Sequence, residues 1–258
     1  MSRADGLLLD IDGVLAVSWK PLPGAVGAMA TLRRDGIPFR LITNTTTKTR
    51  RDLANTLRSA GFDVEPAEIV TAVVATAQYL REHHDGARVF VLSDGDATAD
   101  LEDVNLVDVD EAKVIVLGGA SKDFTHPTLN RVFRRLMGGA ALVGMHRNLY
   151  WKTGDGWELD GGAYIAGLEE AAGVEAVICG KPAAAYFDGA LAALGIQRDR
   201  AAMVGDDIVN DVLGAQDNGI TGVLVRTGKF QEPDLEKGEP DVVLDSLADV
   251  PGWLAGDG

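Results

Sequence analysis

Leu7-Leu8-Leu9-Asp10-Ile11-Asp12-Gly13-Val14 decides the fold class of this chain. An apolar run of strand length ends in two carboxylates two residues apart, and glycine follows at once. A strand buried on both faces of a parallel sheet reads as an unbroken Leu/Ile/Val run. Asp10 then stands at the carboxyl edge of that sheet, where open α/β sheets bind ligands. Two acids so close repel each other, and a divalent metal is the economical compensation. Gly13 lets the backbone turn sharply and bring a carbonyl to the same point.

Outward from this stretch the first third alternates strand and helix. Leu7–Ile11 and Pro38–Ile42 read as strands, Gly24–Arg34 and Thr46–Ala60 as helices that stop at Gly36 and Gly61. The last third repeats the style. Ala176–Cys179, Ala201–Val204, Thr221–Val225 and Asp241–Leu244 read as strands, with helices at Ala183–Leu194, Ile208–Asn218 and Ser246–Leu254. Alternation of this kind implies a parallel sheet with right-handed crossovers. The middle has its own strands, Arg88–Leu92, Lys113–Leu117 and Ala140–Met145. It also has helices at His126–Met137 and Tyr164–Ala172 and a hairpin over Leu149–Leu159, turning at Gly154-Asp155-Gly156. The expected organisation is α/β: a discontinuous sheet domain, 1–78 and 176–258, with a second α/β unit, 79–175, inserted between its halves. Gln231–Pro240 reads as an exposed loop.

The bulk numbers bound the function. A chain of 258 residues with 46% hydrophobic and 24% charged content is an ordinary globular protein with room for a sizeable core. A net charge of −15 disfavours nucleic acid and anionic membrane as partners, though not a small phosphorylated substrate held by a local metal and a few cations. The one cysteine, Cys179, sits in an apolar run, excludes an intrachain disulfide and fits a reducing, cytoplasmic compartment. Asp5, Asp10 and Asp12 interrupt any signal-peptide core, and no apolar run is long enough to span a membrane.

Three more apolar runs deliver polar groups as the first delivers Asp10. Phe39–Ile42 leads to Thr43, Asn44 and Thr45; Val177–Gly180 leads to Lys181-Pro182; Ala202–Gly205 leads to Asp206 and Asp207, with Asp211 beyond. If the four strands are parallel neighbours, these groups meet at one edge. Their types fit phosphoryl transfer, which needs a nucleophile, charge neutralisation on phosphate oxygens, and a proton donor for the leaving group. Asp10 can be the nucleophile and Asp12 the general acid and base. Asp10, the Asp12 carbonyl and Asp206 can hold Mg²⁺ through oxygen. Thr43, backbone amides nearby and Lys181 can hold the phosphate. Like charges 4 Å apart repel by about 4 kcal/mol at an effective dielectric near 20, so Mg²⁺ and Lys181 are both needed. Each segment alone has a plain reading: a solvated turn for Asp10-Ile11-Asp12, a turn or cap for Thr43-Asn44, a helix start for Lys181-Pro182, a helix cap for Asp206-Asp207. Their order at successive strand ends is what points to one site.

These segments resemble the four motifs of the haloacid dehalogenase superfamily of phosphohydrolases: Asp10-Ile11-Asp12-Gly13-Val14, Thr43, Lys181-Pro182, and Gly205-Asp206-Asp207 with Asp211 behind. The insert is similar to the large α/β cap of the subfamily of 4-nitrophenylphosphatase-like and phosphoglycolate phosphatase-like enzymes. Gly205–Gln216 and Arg226-Thr227-Gly228-Lys229-Phe230 resemble its phospholysine phosphohistidine inorganic pyrophosphate phosphatase-like members. The resemblance implies a Rossmann-like core, Mg²⁺, an Asp10 nucleophile, an Asp12 acid/base, and a cap that closes over the core and contacts substrate. It also implies a homodimer formed through the cap. Many members carry Thr-Asn-x-Asp in the cap where this chain has Met145-His146-Arg147-Asn148. His146, Arg147, Asn148 and Tyr150 are therefore candidate substrate contacts, with surface or hairpin positions as the plain alternative. His83, His84 and His126 lack metal-ligand spacing and read as surface residues. Trp151 and Trp157 flank the hairpin and read as packing or dimer residues.

Other readings fit less well. A receiver-like phosphoaspartate switch is a single small domain, and Asp12 placed to activate water would make its phosphate short-lived. A dinucleotide-binding oxidoreductase needs Gly-x-Gly-x-x-Gly after the first strand, where Asp10-Ile11-Asp12-Gly13 stands. Dehalogenation requires neither the metal nor Asp12. A phosphomutase on the same scaffold stays open, because fold does not fix function.

Overall fold

The computed structural model describes residues 3–153 and 156–256. From the N-terminus, β1 (Gly6–Asp10) leads into a small antiparallel ribbon of β2 (Ala16–Val17) and β3 (Lys20–Pro21). Then come α1 (Ala25–Arg34), β4 (Phe39–Thr43), α2 (Arg50–Ser59), β5 (Ile69–Thr71) and α3 (Ala72–His83). The middle runs through β6 (Val89–Leu92), β7 (Val114–Leu117), α4 (His126–Met137), β8 (Ala141–Gly144), the hairpin of β9 (Tyr150–Thr153) and β10 (Gly156–Leu159), and α5 (Gly161–Ala172). The chain finishes with β11 (Val177–Ile178), α6 (Ala184–Ala192), β12 (Ala201–Gly205), a π-helical turn (Ile208–Leu213) continuing into α7 (Gly214–Gln216), β13 (Thr221–Val225), β14 (Val242–Leu244) and α8 (Val250–Ala255). Contacts divide it into two compact units. Met1–Thr43, Arg50–Val70 and Lys181–Gly258 form the first; Asn44–Thr49 and Thr71–Gly180 form the second.

The first unit is built on a six-stranded sheet in the order β14-β13-β12-β1-β4-β5. β1 pairs in parallel with both β12 and β4, and β12, β13 and β14 continue in parallel. From β1 the chain winds one way through β4 and β5; on its return it winds the other way through β12, β13 and β14. The reversal falls between β1 and β12, where such sheets open a crevice beyond the carboxyl ends of the strands. Every residue of β1 and of β12 is buried, as a strand covered on both faces requires. α1 presents Ala25, Ala28, Met29 and Leu32 at helical spacing, and α2 presents Leu53, Ala54 and Leu57. They pack on Leu7, Leu9, Leu41 and Val204 in one cluster; each buried Leu contributes about 1.5–3 kcal/mol.

The second unit has a four-stranded parallel sheet, β11-β8-β7-β6. Its two faces alternate along β7. Ile115 and Leu117 pack with Val132 and Leu136 of α4 and Ile165 and Leu168 of α5, while Val114 and Val116 pack with Val73, Ala77 and Leu80 of α3.

The α/β class and the parallel sheet stand as expected. Three local expectations do not. The strand preceding Lys181 joins β8 in the second sheet rather than the first, so the strand ends bearing Asp10, Thr43 and Asp206 are neighbours in the first sheet and the one before Lys181 is not. Ile208–Asn218 is not one α-helix but the π-helical turn and α7. Gln231–Pro240 contains a 3₁₀ segment, Glu232–Lys237. The units divide at Val70/Thr71 and at Gly180/Lys181, with Asn44–Thr49 grouped in the second, and α3 packs on the second sheet. Gly154 and Asp155 of the expected hairpin turn lie outside the described residues.

Candidate active site

Strand register alone collects three polar residues at one edge. Asp10 ends β1 opposite Ile42 of β4, and Leu9 lies opposite Val204 of β12. Thr43 and Asp206 therefore emerge within a residue step or two of Asp10, on its two sides. All three are buried.

Lys181 reaches this edge without a strand of the same sheet. Its ammonium is buried, 2.6 Å from Asp10 Oδ1 and 2.7 Å from Asp211 Oδ1. Burial disfavours the ammonium, but the charges of Asp10 and Asp211 outweigh this and hold it well above the ordinary lysine range. Asp10 experiences the converse: burial raises its carboxyl, and Lys181 pulls it back. Asp211 arrives through the π-helical turn, in which the Asp207 carbonyl accepts from both Asp211 N (3.1 Å) and Val212 N (3.2 Å). Such single-turn widenings recur at functional sites. The Asp207 carboxylate caps the turn, accepting from Val209 N at 2.9 Å and Asn210 N at 3.0 Å. Gly205 makes the approach feasible, since a Cβ there would stand 2.2 Å from that of Asp211.

Asp10, Asp206 and Asp211 each offer a carboxylate oxygen, and these oxygens lie within 4.8 Å of one another. Asp206 is held from outside this trio. The loop after β13, Thr227-Gly228-Lys229, folds against Gly13: the Thr227 hydroxyl donates to the Gly13 carbonyl at 2.5 Å, and Lys229 N donates to Asp206 Oδ2 at 2.7 Å. Gly13 and Gly228 both have positive φ, and a Cβ on either would stand 2.0 Å from Asp206 Oδ2. The other oxygen of Asp206, Oδ1, is buried and has no hydrogen-bond donor among the described residues. Burial, then the neighbouring charge of Asp10, pushes the Asp206 carboxyl up to about 8; burial, against the pull of Lys181, leaves Asp211 at about 6. A buried carboxylate oxygen lacking a donor, beside two further carboxylates, fits a hard divalent cation. Asp10 and Asp206 were expected to hold it with the Asp12 carbonyl; Asp211, expected behind them, stands in the same group. Lys229 Nζ pairs with Asp207 at 2.9 Å. Burial opposes ionisation of Asp207, yet the Lys229 charge and the Asn210 donors hold its carboxyl well below the usual range. The sequence reading passed over Thr227, Gly228 and Lys229 as site residues.

Asp12 lies beyond the end of β1 with its side chain exposed. Surrounding protein still raises its carboxyl, against the pull of Lys181 and Lys229. A raised carboxyl retains a proton more readily, which suits an acid catalyst.

The remaining candidates belong to the second unit. Asn44 and Thr45 follow Thr43 directly but group with it, and both are half-buried. His146 is buried; its Nδ1 accepts from Asn148 N at 3.2 Å and its Nε2 lies 3.9 Å from Asp160. Arg147 pairs with Glu169 at 2.6 Å. Asn148 is half-buried, its carbonyl accepting from Gly162 N. Tyr150 is exposed, edge-on to the Trp157 ring at 5.5 Å.

The chain belongs to the haloacid dehalogenase-like hydrolases. Residues 7–107 match the model of the Haloacid dehalogenase-like hydrolase family, and residues 178–250 match the HAD-hydrolase-like one. The chain is 36% identical to phospholysine phosphohistidine inorganic pyrophosphate phosphatase of Rattus norvegicus over 255 residues, covering 96% of this chain and 92% of that protein. It is 36% identical to Haloacid dehalogenase-like hydrolase domain-containing protein 2 of Homo sapiens over 238 residues, covering 92% of this chain and 90% of that one. Among solved structures it superposes on the p-nitrophenyl phosphatase from Archaeoglobus fulgidus with a TM-score of 0.90 at 29% identity, covering 96% of this chain and 98% of that one. The 4-nitrophenylphosphatase from Thermotoga maritima gives 0.89 at 28% identity, covering 96% and 97%.

Proposed function

We propose that this hydrolase is a Mg²⁺-dependent phosphatase acting on a small organic phosphate, whether ester, phosphoamide or pyrophosphate, through an aspartyl-phosphate on Asp10. The observation that carries the reading is the group of Asp10, Asp206 and Asp211, with a buried ammonium on Asp10 and Asp211 and with Asp206 Oδ1 lacking a donor among the described residues. The relatives named phosphatases support the substrate class.

Asp10, Asp206 and either Asp211 or the Asp12 carbonyl would hold Mg²⁺, which would supply positive charge for the phosphate oxygens. Lys181 engages Asp10 Oδ1, which leaves Oδ2 to attack phosphorus. The bond from phosphorus to the leaving oxygen or nitrogen breaks, and that atom takes the proton of Asp12. Asp12, now a carboxylate, removes a proton from water. The water oxygen attacks phosphorus, the bond to Asp10 breaks, and inorganic phosphate leaves with Asp10 regenerated. Thr43 and Lys181 hold phosphate oxygens throughout, with Asn44 and Thr45 as further donors. Asp207 acts behind Asp206, fixing the π-helical turn.

The second unit is the cap in this reading. It excludes water by closing. His146, Arg147, Asn148 and Tyr150 are its candidate substrate contacts, with the Arg147 guanidinium held by Glu169 and the His146 ring by the Asn148 amide. The exposed Trp157 and Leu159 of the hairpin are the face offered to a second copy. No helix among the described residues is long and apolar enough to cross a membrane; the acidic charge speaks against nucleic acid, and the buried free Cys179 suits the cytoplasm.

Purified protein given p-nitrophenyl phosphate tests this. Phosphate release with Mg²⁺, lost on chelation and in Asp10→Asn, is the expected result. Turnover that ignores chelator or survives Asp10→Asn overturns the mechanism. A panel of phosphate esters, phosphoamides and pyrophosphate then sorts the substrate.

A further inference from the structure

Tyr186 is buried in the first unit and has no part in the chemistry of Asp10, Asp12, Thr43 and Lys181. It lies on α6, where an apolar ring alone would complete the packing. Its hydroxyl nonetheless accepts from Thr43 N at 2.9 Å, and it lies 2.7 Å from the Val70 carbonyl and 3.0 Å from the Thr43 carbonyl. Its single proton is best placed for Val70, the nearer acceptor. The hydroxyl thus joins the last residue of β4 to its neighbour β5 at the point where the sheet ends and Thr43 begins its task.

We infer that Tyr186 is a positioning residue: through its hydroxyl it sets the backbone at Thr43, and so the direction in which Thr43 meets phosphate. A terminal strand residue has lost its onward ladder partners, and a buried amide without an acceptor is unfavourable. Tyr186 supplies that acceptor on a rigid ring anchored by α6. Removal of the hydroxyl leaves Thr43 N without its acceptor and the Val70 carbonyl without its donor, and the strand end can swing. A misplacement of this kind weakens phosphate holding before it affects the carboxylate group across the edge. Burial pushes the Tyr186 hydroxyl far above the ordinary tyrosine range, so it keeps its proton for Val70 at any working pH.

The inference rests on the phosphatase reading, and its test separates the two. Inorganic phosphate binding is measured as competitive inhibition and by calorimetry with Mg²⁺ present, in the native chain, Tyr186→Phe, Thr43→Val and the double variant. Tyr186→Phe keeps the ring and the packing. The expected result is phosphate binding weakened roughly tenfold by Tyr186→Phe, Mg²⁺ affinity within about twofold of native, and no further loss when Tyr186→Phe is added to Thr43→Val. Hydrogen exchange at the Thr43 amide should quicken in the same variant. Additive losses in the double variant, or undiminished phosphate binding in Tyr186→Phe, overturn the positioning role while leaving the phosphatase reading intact. A native chain that binds no phosphate overturns both.

Discussion

Lys181→Met tests how this site tolerates its own charge. The ammonium sits 2.6 Å from Asp10 and 2.7 Å from Asp211, both buried, with Asp206 in the same group. At an effective dielectric near 20 each of these contacts is a gross attraction of about 6 kcal/mol, and desolvation of the charges cancels most of it. Deletion of one partner is a different matter, because the carboxylates remain buried with no cation in contact and only the more distant Lys229 charge. Breaking a buried pair in this way costs about 3–5 kcal/mol. Methionine preserves most of the side-chain volume, so the loss is electrostatic rather than a cavity. Urea unfolding of the metal-free protein should show a destabilisation of about 3–5 kcal/mol, shared with any uptake of protons by Asp211 and Asp206. Added Mg²⁺ should recover part of it, since the ion supplies the missing charge. Turnover should fall about a thousandfold, because the developing charge on phosphate loses a fixed donor. A variant as stable as the native chain, or one that retains a tenth of its turnover, refutes the reasoning.

Gly228→Ala places a Cβ 2.0 Å from Asp206 Oδ2 at a φ of +63°. The left-handed backbone alone costs about 1–2 kcal/mol, and displacement of Asp206 should weaken Mg²⁺ binding at least tenfold, read by ion titration. His146 is lowered below its ordinary 6.5 by burial, against the charge of Asp160. The folded chain therefore binds fewer protons there than the unfolded one, and this contribution to stability, complete above about 6.5, drains away as the pH falls toward the depressed value. His146→Gln should flatten thermal midpoints over that acid range; an unchanged slope counts against the assignment. Burial pushes the Cys179 thiol up to about 12, although Thr76 acts the other way. Iodoacetamide at neutral pH should modify the unfolded chain readily and the native chain hardly at all.

Legibility in the sequence followed the range of the interaction. β1 was readable because burial on both faces leaves an unbroken apolar run, and Thr43 and Asp206 because each directly follows such a run. Lys181 was readable from its place in the order, but for a wrong structural reason: β11 belongs to the second sheet, and Lys181 reaches Asp10 by its own length from the chain that re-enters the first unit. Asp211 was expected behind Asp206; the π-helical turn, which an expected α-helix over Ile208–Asn218 did not foresee, brings its carboxylate into the same group as Asp10. The Thr227-Gly228-Lys229 loop was legible as a family resemblance but gave no sign of contact with the site. Its role lies in a close approach to Gly13, from the opposite end of the chain, and positive φ at a glycine is invisible in sequence. Nothing within the expected helix Ala183–Leu194 marked Tyr186, since a hydroxyl aimed at a strand end differs from Phe by a single oxygen. α3 escaped notice because its small and β-branched residues, Ala72-Val73-Val74-Ala75, read equally well as strand.

The proposed mechanism requires phosphorus to be bonded transiently to Asp10. Acid-quenched enzyme turning over a substrate carrying radiolabelled phosphate should hold label on the peptide containing Asp10, released by hydroxylamine, and Asp10→Asn should hold none. Steady turnover with no label on that peptide, or label that persists in Asp10→Asn, contradicts it.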